Sequence, residues 1–243
     1  MAINHCRIDK WLAKQLSVNR RQVRLFLAQQ RIKVDGSTVT DADTIVHQFS
    51  IIVFDDKVLQ QNNTIYLMLN KPVGVVCATK DVDHKTVLDL IDFPEKETLH
   101  IVGRLDLNTS GLVLLTNDSR WSSTITSPDN KVNKHYHVTL KNPISDDYAP
   151  AFLQGMYFDY EGITTQPAQL SKISEYQADV VLTEGRYHQI KRMFGRFRNP
   201  VVGLHRYAIG KLTLDQNLPL GGFRPLTTAE VCSFYSGKLG EDQ

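Results

Sequence analysis

Residues 103–116 have the sequence Gly103-Arg104-Leu105-Asp106-Leu107-Asn108-Thr109-Ser110-Gly111-Leu112-Val113-Leu114-Leu115-Thr116. A single carboxylate, Asp106, lies in a polar turn near Arg104, and the apolar run that follows predicts a buried strand. Burying an unpaired charge costs free energy, so this aspartate needs a structural or a chemical reason to be there. One explanation is a turn aspartate that hydrogen-bonds its own backbone. The other is a reactive carboxylate, and the surrounding sequence distinguishes between them.

The same stretch is also similar to the first half of a calcium-binding loop, because Asp106 and Asn108 have the spacing of its first two ligands. Such a loop needs a bidentate glutamate at its twelfth position and a helix on each side. The twelfth position here is Asn117, and the residues before it predict a strand. Elsewhere, His135 and His137 lie at i and i+2 of a predicted strand, with no third ligand nearby. The sequence therefore predicts no metal site.

Three further motifs flank the central stretch. They are Leu69-Asn70-Lys71-Pro72-Val73-Gly74, Lys134-His135-Tyr136 before Val138, and Glu184-Gly185-Arg186-Tyr187-His188-Gln189-Ile190-Lys191-Arg192-Met193. Together with residues 103–116, they resemble the motifs of the pseudouridine synthases in content and in order. The resemblance is strongest to the ribosomal small-subunit branch, the RsuA type, and covers nearly the whole chain. It implies an isomerase that converts a uridine of RNA to pseudouridine.

The resemblance implies roles for individual side chains. Asp106 falls on the family's nucleophile, and Lys191 falls on the basic residue that helps to keep that carboxylate ionised. Many relatives have arginine at this second position, and lysine lacks the bidentate fork of arginine, which leaves the geometry of the pair open. Tyr136 falls on a tyrosine that packs against the flipped target base. Arg104 falls on a residue that helps to hold the target nucleotide out of its helix.

Several of these side chains also have a purely structural explanation. A tyrosine that alternates with apolar residues is typical of a core strand, and Lys191 could be an exposed lysine on a helix. Leu182 is predicted to form the apolar floor of the pocket, with an ordinary core leucine as the alternative. Arg186 is predicted to contact the substrate, and His188 to support the helix of the third motif. Residues 70–72 are predicted to fix the strand and loop beneath the site.

The charge distribution predicts two basic surfaces. The 243 residues carry a net charge of +2, but residues 1–34 contain eight Lys or Arg and one Asp, a net charge of +7. Residues 184–211 contain seven basic side chains and one acid. Lys and Arg release counterions from phosphate backbones, so these patches predict a polyanion partner. Solvated helix faces are the alternative explanation.

The N-terminal residues predict a small basic module. Two segments with apolar residues at helical spacing precede a tight hairpin at Asp35-Gly36, and Asn19 is the predicted N-cap of the second helix. Three arginines lie off the apolar stripe of that helix: Arg20, Arg21 and Arg24. The order of helix, helix and hairpin resembles the RNA-binding domain named after a ribosomal small-subunit protein (S-four-like). The resemblance implies that these arginines bind RNA.

We expect this module over residues 1–60, a linker over 61–64, a catalytic domain over 65–236 and a C-terminal tail over 237–243. The strands predicted in the larger domain are 66–70, 73–78, 112–116, 136–140, 178–182 and 211–214. Its best predicted helix is 187–197. The fold class is therefore α+β: a small N-terminal α/β RNA-binding domain plus a larger mixed, mainly antiparallel β-sheet catalytic domain.

Composition narrows the class of protein. An apolar content of 42% and a charged content of 22% are typical of a globular domain. No apolar run approaches the roughly 20 residues that span a bilayer, and the N-terminal residues lack the apolar core of a signal peptide. The three cysteines are widely spaced and predict neither a disulfide framework nor a metal site. We expect a cytoplasmic monomer with no membrane or DNA partner.

The expected substrate is one uridine of 16S rRNA, in free rRNA or in a small-subunit assembly intermediate. Isomerisation involves no redox change and adds no atom, so no cofactor is expected. Two alternatives remain: a 23S rRNA pseudouridine synthase of a sister branch, and a non-catalytic rRNA-binding assembly factor. The presence of Asp106, Tyr136 and Lys191 together favours the enzyme, because a binding protein does not need the carboxylate.

Overall fold

The computed structural model describes residues 5–159 and 161–235. The chain divides into two compact units, Met1–Thr64 and Ile65–Gln243. The predicted tail over residues 237–243 lies outside the described residues. Among the helices that the structure does describe, none is long and apolar enough to cross a membrane.

The first unit packs two helices on a small sheet. Its elements are β1 (Cys6–Arg7), α1 (Ile8–Gln15), α2 (Arg20–Ala28), β2 (Ile32–Val34), β3 (Ser37–Thr38), β4 (Ile45–Val46), β5 (Ile52–Phe54) and β6 (Lys57–Gln60). The predicted N-cap is confirmed, since the Asn19 side chain accepts a hydrogen bond from the Gln22 backbone N–H at 2.9 Å. The predicted hairpin is also confirmed: Asp35 and Gly36 both have positive φ, as a two-residue turn between paired strands requires.

The second unit is built on one large sheet. Its strands are β7 (Tyr66–Lys71), β8 (His100–Val102), β9 (Ser110–Thr116), β10 (Lys134–Leu140), β11 (Tyr157–Phe158), β12 (Ile163–Thr164), β13 (Gln169–Lys172), β14 (Gln177–Leu182), β15 (Val201–Ile209), β16 (Leu212–Thr213) and β17 (Phe223–Pro225). Its α-helices are α3 (Ser119–Thr126), α4 (Tyr148–Gln154), α5 (Gln189–Gly195) and α6 (Thr228–Cys232). Short 3₁₀ turns occur at Leu88–Leu90, Lys96–Thr98 and Pro128–Asn130.

The large sheet is mixed and mainly antiparallel, in agreement with the predicted fold class. Its strand order is β13-β14-β10-β15-β9-β7-β17, with β8 paired to β9 and β16 paired to β15. The β9–β15 pair is parallel, and the other pairings of this sheet are antiparallel. The parallel pair is short, with His205 opposite Ser110 and Arg206 opposite Gly111. It brings the start of β9, just after Asp106, against the middle of β15.

Strand β9 is buried on both faces, which explains its continuous apolar sequence. Val113 and Leu115 belong to one hydrophobic cluster, and Leu112 and Leu114 belong to another on the opposite face. All four side chains are fully buried. The polar turn before β9 is therefore attached to one of the most deeply buried strands of the unit.

Two predicted elements differ from the structure: one strand is absent and one helix is shorter. Residues 73–78 form no strand; the segment has only an isolated bridge between Val76 and Thr86, and Gly74 has a φ of +84°. The apolar side chains Val75 and Cys77 are buried in the core without a strand ladder, so burial rather than pairing explains this pattern. The predicted helix 187–197 is only Gln189–Gly195, because His188 has a left-handed backbone that cannot continue a right-handed helix.

Candidate active site

An open pocket in the second unit brings together six of the predicted site residues. It encloses about 470 Å³, including solvent at its mouth. The predicted residues in its wall are Arg104, Asp106, Tyr136, Leu182, Arg186 and Lys191. They come from the turn before β9, from the strands β10 and β14, and from the segment that includes the start of α5. We call residues 103–109 the aspartate loop and residues 184–195 the motif-three segment.

The carboxylate of Asp106 faces the pocket rather than its own turn. The turn is closed by the backbone, with the Thr109 N–H donating to the Asp106 carbonyl oxygen at 3.0 Å. The Asp106 Oδ2 atom instead lies 3.7 Å from Lys191 Nζ and 3.4 Å from His188 Nε2. The side chain is 31% exposed, so it is shielded but open to a ligand in the pocket. Lys191 is therefore not a solvated lysine on a helix face.

His188 supports the start of α5 through its backbone, because its carbonyl accepts a hydrogen bond from the Arg192 N–H at 2.9 Å, and its side chain has a contact that the sequence did not predict. It precedes α5 with a φ of +49°, and its side chain makes no capping hydrogen bond to the helix. Its ring reaches Asp106 instead and stacks on the Tyr187 ring, with the centroids 3.9 Å apart. In the sequence, the signal for this contact is that His188 belongs to the same motif as Lys191.

Tyr136 and Leu182 form the apolar part of the pocket. Tyr136 is opposite Val180 and Leu182 is opposite Lys134 in the β10–β14 register, so both side chains lie on the same face of the sheet. They are 8% and 3% exposed and belong to the main hydrophobic cluster while also lining the pocket. The core interpretation and the pocket interpretation are therefore compatible for both residues.

Two buried cations hold the aspartate loop from beneath. The Arg206 guanidinium donates from Nη2 to the Gly103 carbonyl at 2.7 Å and from Nε to the Leu112 carbonyl at 2.9 Å. Lys71 Nζ donates to the Thr109 carbonyl at 2.7 Å, so this residue of the first motif supports the loop. Burial lowers the pKa of Lys71, since desolvation disfavours its charged form.

Gly111 allows β15 to approach the aspartate loop closely. A Cβ atom at this position would lie 2.2 Å from the Arg206 carbonyl oxygen, which is far inside van der Waals contact. The φ of Gly111 is +110°, a conformation that side-chain-bearing residues rarely adopt. Sequence analysis did not select Arg206, although an arginine between the apolar residues of a strand is a recognisable sign of a buried charge with specific partners.

The motif-three segment is held by carboxylates near the surface. Glu184 accepts hydrogen bonds from Gln189 Nε2 at 2.7 Å and from the backbone N–H of Gln166 at 2.8 Å. Its other oxygen accepts from Arg186 Nε at 2.9 Å, which places Arg186 at the edge of the pocket. Further along, the Arg192 guanidinium pairs with Glu161, and its carbon lies 3.8 Å from the Phe158 ring centroid.

The three arginines predicted to bind RNA lie on α2 of the first unit. Arg20, Arg21 and Arg24 are all exposed, whereas Val23 and Leu27 of the same helix are buried. The helix therefore presents its arginines to solvent, as the apolar stripe predicts. These residues do not belong to the pocket described above.

The described residues also bear on metal binding. Among residues 5–159 and 161–235, no three His, Cys, Asp or Glu side chains lie close enough together to hold a metal ion. His135 and His137 instead lie beside the Tyr207 ring, and His137 stacks on it with the centroids 4.1 Å apart. Both histidines are therefore part of an aromatic cluster on the sheet.

The chain is similar to two protein-family models. Residues 65–195 match the RNA pseudouridylate synthase model, and residues 6–52 match the S4 domain model. These ranges include the aspartate loop, β10 and α5 in the first case, and α1, α2 and the hairpin in the second. The match to the synthase model covers more than half of the chain.

Individual relatives agree with these models. The ribosomal small subunit pseudouridine synthase A of Pseudomonas aeruginosa is 46% identical over 230 residues, which cover 93% of this chain and 99% of that protein. The protein of the same name from Escherichia coli K12 is 45% identical over 228 residues, with the same shares. A crystal structure of a pseudouridylate synthase superposes with a TM-score of 0.69 at 40% identity, over 94% of this chain and 99% of its own. The chain therefore belongs to the ribosomal small-subunit branch of the RNA pseudouridylate synthase family, whose members are isomerases.

Proposed function

We propose that this protein converts one uridine of 16S rRNA to pseudouridine, with Asp106 as the nucleophile. The observation that carries the proposal is the position of the Asp106 carboxylate in a pocket, 3.7 Å from the Lys191 ammonium group. The small-subunit names of the relatives support ribosomal RNA as the substrate. Since the reaction adds no atom and changes no oxidation state, the side chains of the pocket are sufficient and no cofactor takes part.

Each pocket residue has a role in this reaction. Lys191 stabilises the ionised carboxylate of Asp106, because a nearby positive charge favours the charged form. Tyr136 and Leu182 provide the apolar surface on which the flipped uracil packs, which replaces the stacking that the base loses in leaving its helix. Arg104 and Arg186 at the pocket wall bind the phosphates and the displaced strand around the target nucleotide.

The first unit binds the RNA around the target. Arg20, Arg21 and Arg24 present positive charge to solvent on α2 of a unit that matches the S4 domain model. Their contacts to phosphate increase affinity without reading the sequence, and the second unit selects the uridine. The proposed partner is 16S rRNA or a small-subunit assembly intermediate, bound by a monomer in the cytoplasm.

The decisive variant is Asp106→Asn, which keeps the size of the side chain and removes its charge and nucleophilicity. Turnover on 16S rRNA transcripts should be lost completely, because covalent catalysis depends on this group. Binding to the same RNA should remain or become tighter, since a negative charge near phosphate has been removed. Tritium release from [5-³H]uridine-labelled 16S rRNA measures turnover, and filter binding measures affinity.

The matched control changes Arg20, Arg21 and Arg24 together to glutamine. This variant should bind more weakly and with a flatter salt dependence, while saturating RNA restores its turnover. Measurable turnover by Asp106→Asn would refute the nucleophile and favour a turn aspartate, since Asn serves turns equally well. Activity of the parent chain on 23S rRNA, or on neither RNA, would instead favour the sister branch or the assembly factor.

A further inference from the structure

Pseudouridine formation moves a hydrogen as well as a glycosidic bond. The C1′–N1 bond breaks and the C1′–C5 bond forms, so C5 loses one hydrogen and N1 gains one. Once C5 is joined to the sugar it still carries its hydrogen, and the ring has a double bond between N1 and C6. Completing the product requires a group in the pocket that accepts the C5 proton. Nucleophilic attack by Asp106 does not by itself provide this step.

His188 lies in the wall of the pocket beside the proposed nucleophile. Its Nε2 atom lies 3.4 Å from Asp106 Oδ2, and its side chain is 36% exposed. The backbone at His188 is left-handed, and its ring stacks on the Tyr187 ring. The hydrogen bond from Gln189 to Glu184 braces the turn on which His188 lies.

The chemistry of the pocket favours an imidazole for this transfer. The charged and titratable side chains that line the pocket with His188 are Arg104, Asp106, Tyr136, Arg186 and Lys191. The lysine and the two arginines are donors without a free acceptor when charged. Tyr136 has the role of packing on the flipped base, and Asp106 is already committed to the bond chemistry. A neutral imidazole has a ring nitrogen that can accept a proton. His188 therefore combines a position beside the nucleophile with a proton acceptor.

Resting on the function proposed above, we propose that His188 is a catalytic residue that removes the proton from C5. The neutral Nε2 accepts this proton, and the C5–H electron pair forms the C5=C6 double bond. The electron pair of the N1=C6 double bond moves to N1, which takes a proton from the imidazolium or from water. Atoms and charge balance, because the proton lost from C5 equals the proton gained at N1. Neither an oxidant nor a cofactor is required.

RNA containing 5-fluorouridine separates this step from the preceding ones, because it carries fluorine instead of hydrogen at C5. For His188→Gln, turnover on uridine-containing 16S rRNA should fall by about 100-fold or more, in the range of general acid–base catalysis. Rearrangement of the fluorinated RNA to its carbon-linked nucleoside, measured by mass spectrometry after nuclease digestion, should stay within about twofold of the parent chain. This second reaction also verifies that the variant is folded.

The matched control is His84→Gln, at an exposed histidine beside Asp81, and it should keep the rate of the parent chain on both RNAs.

The outcomes distinguish His188 from the nucleophile. Normal turnover of uridine by His188→Gln, or an equal loss on both RNAs, overturns the proposal and leaves His188 as a structural neighbour of Asp106. The Asp106→Asn variant should lose both reactions. If it converts either RNA, Asp106 is not the nucleophile, and the His188 step that rests on it is overturned as well. A selective loss on uridine-containing RNA supports His188.

Discussion

The aspartate loop is anchored from inside the protein, whereas the motif-three segment on the other wall of the pocket is anchored near the surface. Arg206 is 2% exposed and Lys71 is fully buried, and both donate hydrogen bonds to backbone carbonyls around Asp106. On the other wall, the paired Glu161 and Arg192 side chains are 33% and 28% exposed. One wall thus depends on buried cations, and the other combines the hydrogen bond from Gln189 to Glu184 with a partly solvated ion pair.

The difference shows which parts of the pocket tolerate change. A buried charged donor that satisfies several carbonyls is costly to remove, because each carbonyl then loses its partner in a medium without water. A solvated ion pair contributes little, because water and salt compete with it. The motif-three segment also has a second support, since Met193 and Phe194 of α5 are fully buried in the main core. We therefore expect the two walls to respond differently to mutation, salt and pH.

The largest effect is expected for Arg206→Met, which keeps the apolar stem and removes the guanidinium. The Gly103, Arg104 and Leu112 carbonyls would lose their donor. The free energy of unfolding should fall by about 3 kcal/mol, and turnover should fall with it as the aspartate loop loses its anchor. Urea denaturation measures the first quantity, and tritium release measures the second. A variant as stable as the parent chain would show that the loop is held by other contacts.

A smaller effect is expected for the equivalent change on the other wall, Arg192→Met. The ion pair with Glu161 and the contact with the Phe158 ring would be lost, but the buried side of α5 would remain. The urea midpoint should shift much less than for Arg206→Met, and the shift should shrink further in about 1 M salt, where the Debye length is about 3 Å.

Arg196→Met is the matched control for this wall, because Arg196 pairs with exposed Asp159 at 3.4 Å and lies outside the pocket. If Arg192→Met destabilises the protein as much as Arg206→Met does, the contrast between buried and solvated anchors is wrong. An effect of Arg192→Met that persists in high salt would point to packing on Phe158 rather than to the ion pair.

The smallest effect is expected from a change of pH. The pH range in which stability is lost differs between the two walls. Burial lowers the pKa of His205, which lies 2.9 Å from the Ser110 hydroxyl at the start of β9. Below the ordinary value of 6.5, the unfolded chain binds a proton that folded His205 resists, so stability decreases as the pH falls. The Arg192 guanidinium lowers the pKa of Glu161. The stability that ionised Glu161 contributes is therefore present above pH 4.5 and is lost at lower pH.

Unfolding curves at a series of pH values test this order. In His205→Gln, part of the loss of stability just below pH 6.5 should be absent, and in Glu161→Gln part of the loss below pH 4.5 should be absent. His100 and His135, whose pKa values are also lowered by burial, contribute to the same window. Identical curves for His205→Gln and the parent chain would remove His205 from this account.

Local sequence determined the elements that depend on nearby residues. The capped helix after Asn19 and the hairpin at Asp35-Gly36 follow from hydrogen bonds and backbone conformations within a few residues, and both are present. The four motifs predicted the family, which the comparisons confirm. They also selected Asp106 and Lys191, whose side chains meet in the pocket. Short-range rules are sufficient for the cap and the hairpin, because their interacting groups are close in the chain, whereas Asp106 and Lys191 were selected through the family resemblance.

Only the tertiary structure decided the contacts between distant residues. Arg206 holds a loop about a hundred residues earlier in the chain, and its partners are backbone carbonyls that exist at every position of any sequence. The contact of His188 with Asp106 joins two segments that are about eighty residues apart in the chain. Within residues 73–78, Val75 and Cys77 are buried in the core without a strand ladder, although the apolar pattern suggests a strand. The spacing of apolar residues indicates which side chains are buried. The residues that they contact depend on which distant segments the fold brings together.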